Sequence, residues 1–159
     1  MDEPLLTLYP RQTVLVTSRH EGRDNIITLD WAMPVSFAPP LVAISVAPKR
    51  FSHDMIKGSK EFVLAIPTPQ MQEAVLYCGT HSGKDTDKFK GSGLTKAKAS
   101  KVKAPLIKEA GANIECRLFS SLEAGDHTIF IGEVLETHKE SDSTLVNLGH
   151  RNFAGLDRK

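Results

Sequence analysis

Short apolar runs divided by turn residues, with few long helical repeats, set the pattern of this chain, and they read as strands. Val14, Leu15 and Val16 form a β-branched, apolar strand candidate after an opening arm over residues 1–10. Glu21, Gly22 and Arg23 mark a turn. Strand character resumes over residues 25–29 and continues past Trp31 over residues 33–37. Pro39 and Pro40 should then break the pairing, because proline has no backbone N–H for a sheet ladder. Residues 41–46 and 62–66 are apolar at nearly every position, which predicts strands covered on both faces, as in a closed barrel or sandwich. Ile114, Cys116 and Leu118 alternate with Glu115 and Arg117, predicting a strand with one wet face. Residues 127–137 give a further strand, with Gly132 a candidate bulge.

Three short helices interrupt these strands. Thr68 is a natural N-cap, Pro69 suits the first helical position, and Met71, Ala74, Val75 and Cys78 recur at helical spacing before Gly79 ends the helix. Cys78 is therefore a packing residue. A second helix is expected over residues 53–57, with Ser52 as N-cap and Gly58 beyond its end, and a third near residues 85–90. With no internal repeat and no separating linker, residues 1–159 are expected to form one mainly β barrel domain with helical insertions.

Composition narrows the partners. A formal net charge of +1 gives no bulk field toward nucleic acid or anionic membrane. Cys78 and Cys116 lack CxxC spacing, and the first residues do not combine a basic segment, an apolar run and a cleavage site. No apolar stretch approaches the roughly 20 residues of a membrane-spanning helix. A cytoplasmic protein is expected.

Several constellations carry candidate chemistry. Lys49, Arg50, Ser52 and His53 stand where a strand gives way to a helix, and free N–H groups, the helix dipole and two cations there suit a phosphate. The same residues also fit an ordinary capped helix, and Asp54 puts a negative charge beside the site. Trp31 follows Asp30 in an apolar run, with Asn25 and Thr28 close by, so it is either a core aromatic or the apolar wall of a small-ligand site. His127, after Gly125 and Asp126, is placed for a barrel rim or a surface turn. The six histidines lack ligand spacing such as HxxxH, so no zinc site is expected. The stretch GTHSGKD has too few residues between its glycines for a P-loop and ends in Asp85 where Ser or Thr should be. Residues 84–108 hold eight lysines against two acids, but Phe89 is the only aromatic among them, so a solvated loop is favoured over a nucleic-acid platform, with Lys88 able to turn inward to a ligand.

Five segments in order, NIITLDWAMPVSFAPPLVAISVAPKRFSHDMI, EFVLAIP, YCGTHSGKDTDKF, KVKAPLI and GDHTIFIGEV, make the chain resemble the flavin reductase-like proteins of the FMN-binding split-barrel fold, and within them the flavoredoxin branch. The resemblance implies a six-stranded Greek-key split β-barrel with short flanking helices, a homodimer, and one FMN per subunit. It implies that Asn25, Thr28, Leu29, Asp30 and Trp31 border the flavin ring and ribityl chain. Lys49, Arg50, Ser52 and His53 match the segment taking the phosphate or ribityl end. Thr80, Ser82, Gly83 and Lys84 match a loop along the cofactor, Lys88 and Phe89 the adjacent DKF motif, and His127 the histidine that faces the flavin. The C-terminal NLGHRNFAGLDRK departs from the tyrosine-rich family pattern, leaving Phe153 as the aromatic that would cover the flavin edge.

The resemblance implies hydride transfer from NADH or NADPH to flavin N5 and onward delivery of electrons, with the cofactor supplying the chemistry and His127 a possible assistant. That accounts for a chain without a nucleophile motif. The rival readings are a flavoredoxin-type FMN electron carrier without nicotinamide activity, a non-redox nucleic-acid-binding module, and a relative of the split-barrel pyridoxine-phosphate oxidases.

Overall fold

The computed structural model describes residues 3–157, so both ends of the expected 1–159 domain and the first two residues of the opening arm lie outside it. In chain order the elements are α1 (Glu3–Leu6), β1 (Arg11–Gln12), β2 (Val14–His20), β3 (Arg23–Leu29), β4 (Ala32–Phe37), β5 (Pro40–Val46), α2 (Phe51–Ser59) and β6 (Glu61–Ile66). After a 3-10 turn at Pro69–Met71 come α3 (Gln72–Thr80), α4 (Lys88–Ser92), β7 (Lys96–Ala97), β8 (Leu106–Ile107), β9 (Ala112–Ala124), β10 (His127–Lys139), β11 (Ser143–Asn147) and β12 (Phe153–Asp157).

The main sheet is antiparallel, in the order β3-β2-β6-β9-β10-β5-β4. Its two ends are halves of one bent strand: β3 pairs with β2, the chain passes Asp30 and Trp31, and β4 pairs with β5. The Trp31 carbonyl accepts from the Ser45 N–H at 3.0 Å, so the sheet closes into a barrel at that bend. Counting β3 and β4 as one interrupted strand gives the six-stranded split barrel expected.

Alternation along β2 explains why its residues are apolar on both faces. Val14 and Val16 point into the barrel with Ile27, Ile44, Val46, Phe62, Leu64 and Phe130. Leu15 points outward into a second cluster with Ile26, Ala65, Val75, Cys78, Phe89 and Leu145. Helices α3 and α4 cover that outer face, while Ile56 of α2 enters the inner cluster. Each such fully buried aliphatic side chain contributes about 1.5–3 kcal/mol of burial free energy. Cys78 is fully buried, as its packing role requires. The bulge expected at Gly132 appears as a register shift between Ile131 and Gly132.

Five local expectations are corrected. Pro39 and Pro40 do not end the pairing: Phe37 lies opposite Pro40 across a hairpin, where the outermost residue of the strand needs no ladder N–H. Helix α2 starts earlier, at Phe51, with Arg50 in the N-cap position, and continues through Gly58 to Ser59 before Lys60 turns into the left-handed region. A Cβ at Gly58 would lie 2.5 Å from the His20 ring, so glycine is there for close packing and does not end the helix. Helix α3 likewise runs through Gly79 to Thr80, and α4 begins at Lys88, where Asp87 caps it by accepting from the Lys90 N–H at 3.1 Å.

The fifth concerns Glu115. It is fully buried, although alternation put it on a wet face. The segment before β8 folds over β9 there, and the carboxylate accepts from the N–H groups of Ser100 (2.8 Å), Lys101 (2.6 Å) and Val102 (3.1 Å) and pairs with His138 Nε2 (2.7 Å). Burial alone would raise its pKa. The Ser100 N–H, the His138 ring and the other two amides outweigh that and hold it below the ordinary carboxylate value. Glu61 grips the same segment through the N–H groups of Lys103 (2.6 Å) and Ala104 (3.2 Å).

Candidate functional site

The barrel's bend, the end of β5, the first turn of α2 and the end of α3 converge on a cavity of about 700 Å³. That lies within the range of small-ligand and cofactor sites. One wall is aromatic: the Trp31 and His127 rings stand 4.6 Å apart between centroids. His127 Nδ1 pairs with Asp126 Oδ1 at 2.7 Å, and this bond, reinforced by the charge of His127, holds the Asp126 carboxyl below its usual range. Asp30 lines the cavity, but both its oxygens are engaged, accepting from Thr13 Oγ1 (2.9 Å) and from Asn147 Nδ2 (2.7 Å). It fastens the bend to β11. Thr28 also lines the wall, and its hydroxyl donates to the Val75 carbonyl at 2.6 Å.

The opposite side carries positive charge. Lys49 and Arg50 sit before α2, whose first N–H groups lack partners within the helix. Lys88 is buried, yet it lines the cavity, and its Nζ donates to the carbonyls of Ile26 and Cys78, each at 2.8 Å. Burial lowers its pKa to about 8; the neighbouring Cys78 thiol opposes that shift, and the charge of Arg50 adds to it. Two carbonyls take two of its three protons, leaving one donor for another partner.

Asn25 links the two sides. It is 2% exposed, and its Nδ2 donates to Ser52 Oγ at 2.7 Å. Its Oδ1 is buried with no hydrogen-bond partner, alone in this respect among the described residues. A buried acceptor left unsatisfied costs about 1–3 kcal/mol. Gly83 closes over it: a Cβ at that position would lie 1.9 Å from Asn25 Oδ1.

Of the residues expected at the site, Asn25, Thr28, Leu29, Asp30, Trp31, Lys49, Arg50, Ser52, Thr80, Ser82, Gly83, Lys88 and His127 line this cavity. Four do not. His53 turns into the barrel, where Nε2 meets Thr128 Oγ1 at 2.9 Å and the ring packs against Phe130. Lys84 has an exposed side chain, while its carbonyl accepts from Arg23 and its N–H donates to Ser82 Oγ. Phe89 is buried in the second core cluster, beneath Lys96. Phe153 packs against that same cluster because β12 pairs with β11. Tyr9, Phe51, Cys78, Gly79, His81 and Asp126 also line the cavity. Phe51 and Asp126 adjoin residues already singled out, whereas Tyr9 carried no signal in the sequence because only the fold brings it to the bend.

In the lysine-rich stretch, two lysines are engaged and the backbone is held in place. Lys88 faces the cavity, Lys96 pairs with Asp24 at 2.8 Å, and the backbone of residues 100–104 is pinned by Glu115 and Glu61. Among the described residues no helix is long and apolar enough to cross a membrane.

The chain is similar to an uncharacterised protein of Pyrococcus abyssi, at 44% identity over 84% of this chain and 77% of the relative. It is similar to a flavin reductase of Pseudomonas putida, at 31% identity over 96% of this chain and 86% of that one. Among solved structures, the flavoredoxin of Desulfovibrio vulgaris superposes with a TM-score of 0.87 at 25% identity, covering 95% of this chain and 89% of its own. The flavin reductase like domain matches residues 6–156, and the chain belongs to that family.

Proposed function

We propose that the cavity binds FMN and that the protein is an FMN-dependent oxidoreductase, drawing electrons from NADH or NADPH and passing them to free flavin, a ferric complex or another acceptor. The observation that carries this reading is one cavity that joins an aromatic wall, Trp31 and His127, to a cationic end, Lys49 and Arg50 before α2. An amphipathic ligand with a flat ring and an anionic tail matches both features. When bound, FMN supplies the hydride-accepting and electron-delivering chemistry.

The chain's own residues supply position and charge. Trp31 and His127 offer a planar face against which a ring can rest. Ser52, oriented by Asn25 Nδ2, offers a hydroxyl to the ligand. The first N–H groups of α2, with Lys49 and Arg50, hold a phosphate. Lys88 keeps a fixed ammonium beneath the site, favouring the extra negative charge that a two-electron acceptor gains. The buried carbonyls that hold it keep that charge in place during turnover.

A homodimer is part of the proposal. Met33, Val35, Phe37, Phe119 and Leu122 are large apolar side chains left exposed, and a second copy of the chain would cover them. Light scattering should then give about twice the 17.4 kDa chain mass.

The test of function is anaerobic mixing of FMN-loaded protein with NADH or NADPH. Bleaching of the flavin band, followed by turnover when free FMN or a ferric complex is added, is the expected result. A flavin band that neither nucleotide bleaches, but that a reduced protein donor does, would replace the reductase reading with an electron carrier of the flavoredoxin kind.

A further inference from the structure

Gly83 meets the cavity as backbone, and a side chain from β3 holds that backbone in place. The Arg23 guanidinium donates from Nη2 to the carbonyls of Gly83 and of Lys84, the second at 3.1 Å. The same guanidinium stands over the Phe51 ring, 4.8 Å from its centroid. Arg23 thus ties together the start of β3, the first residue of α2 and the segment after α3, and two of the three contacts are made with residues that line the cavity. The other bonds of this segment are internal to its turn: the N–H groups of Asp85 and Thr86 donate to the Ser82 carbonyl, and that of Lys84 to Ser82 Oγ. They shape the turn without fastening it to the barrel.

The position of this turn matters because Gly83 is pressed against Asn25, the residue with the unsatisfied acceptor. A small outward shift of Gly83 would uncover Asn25 Oδ1 to water and widen the cavity on that side. We propose that Arg23 is a positioning residue: its grip on the Gly83 and Lys84 carbonyls keeps the turn closed over Asn25 and sets how long FMN stays bound. The inference rests on the flavin-binding reading above. Arginine suits the task better than lysine, since one planar fork reaches two successive carbonyls while its face lies on an aromatic ring.

The test compares the parent with Arg23→Ala and Arg23→Lys in three measurements: FMN release rate, hydrogen exchange of the amides of residues 83–86 in flavin-free protein, and thermal midpoint. Arg23→Ala should release FMN about tenfold faster, the factor expected for the loss of one ligand-positioning interaction. It should also exchange those amides faster while the β2, β6 and β9 amides and the thermal midpoint stay unchanged, with Arg23→Lys lying between Ala and the parent. Unchanged release and exchange in Arg23→Ala would overturn the inference, as would faster exchange spread across the barrel, which would make Arg23 a residue of the fold alone. A parent that binds no FMN would overturn the residence claim together with the proposed function. The exchange comparison in flavin-free protein tells these failures apart.

Discussion

Glu115 and Asn25 are both buried polar side chains on barrel strands, and they differ in how completely they are satisfied. Glu115 gathers three backbone N–H groups and a histidine ring around one carboxylate. Asn25 spends its amide donors on Ser52 and leaves its oxygen without a partner. The first arrangement closes a structural account within the chain. The second leaves one acceptor unpaired beneath Gly83, in the wall of the cavity, and unsatisfied buried groups in folded proteins are uncommon enough to need a reason. The difference separates a residue satisfied within the fold from a cavity-lining residue with an acceptor unpaired, although both look alike by burial.

The largest expected effect breaks the satisfied side. Glu115→Gln replaces an acceptor with a group that must turn an NH2 toward amide donors, and should lower unfolding free energy by about 3 kcal/mol or more in urea titration. FMN affinity of the folded fraction should stay as in the parent. Acid sharpens the same point: the Glu115 carboxyl is depressed in the folded state, so its contribution is complete above the unfolded value of about 4.3 and is lost as pH falls through the folded value. The variant should therefore lose less stability on acidification than the parent, read as the pH dependence of the urea midpoint.

Asn25→Ala should invert that pattern. The lost bond to Ser52 costs about 1 kcal/mol and removal of the orphaned oxygen offsets part of it, so stability should move little, while the FMN dissociation constant rises about tenfold. Trp31→Ala removes one half of the aromatic wall; by the usual worth of ring contacts, FMN retention should weaken roughly three- to tenfold in isothermal titration. Unchanged affinity in a folded variant would remove Trp31 from the site.

The smallest effect is set by Lys88, whose pKa near 8 lies below its unfolded value. Raising pH through about 8 discharges the amine and should weaken FMN binding a few-fold, a slope absent in Lys88→Met. Stability should change with the opposite sign: between about 8 and the unfolded value of about 10.4 the unfolded chain holds more protons, so the unfolding free energy rises with pH. An FMN affinity that tightens above pH 8 would contradict the assignment of Lys88 as a ligand-facing cation.

The sheet was legible because alternation records both faces of a strand, as Val14, Leu15 and Val16 show by entering different clusters. Much of the cavity was legible because residues 25–31 and 49–52 arrive from two neighbouring stretches. Glu115 misled, since the segment that covers it lies more than a turn away along the chain and supplies backbone N–H groups, which carry no side-chain signature. Ser52 was read as a cap because a hydroxyl before a helix normally bonds its own backbone, whereas here β3 reaches across and Asn25 claims it. Phe89 and Phe153 were assigned by motif and by aromatic character, and the packing of α4 and β12 on the second cluster decided otherwise. Arg23 was seen only as a turn residue, because its partners are carbonyls that any sequence presents.

Trp31 is the chain's one tryptophan and stands in the cavity wall, so its fluorescence reports on that site. Titration of purified flavin-free protein with FMN should quench it to saturation at one FMN per chain, and the quench should weaken in Asn25→Ala. Emission that ignores FMN in a well-folded preparation, with no flavin absorbance retained after gel filtration, would contradict the account.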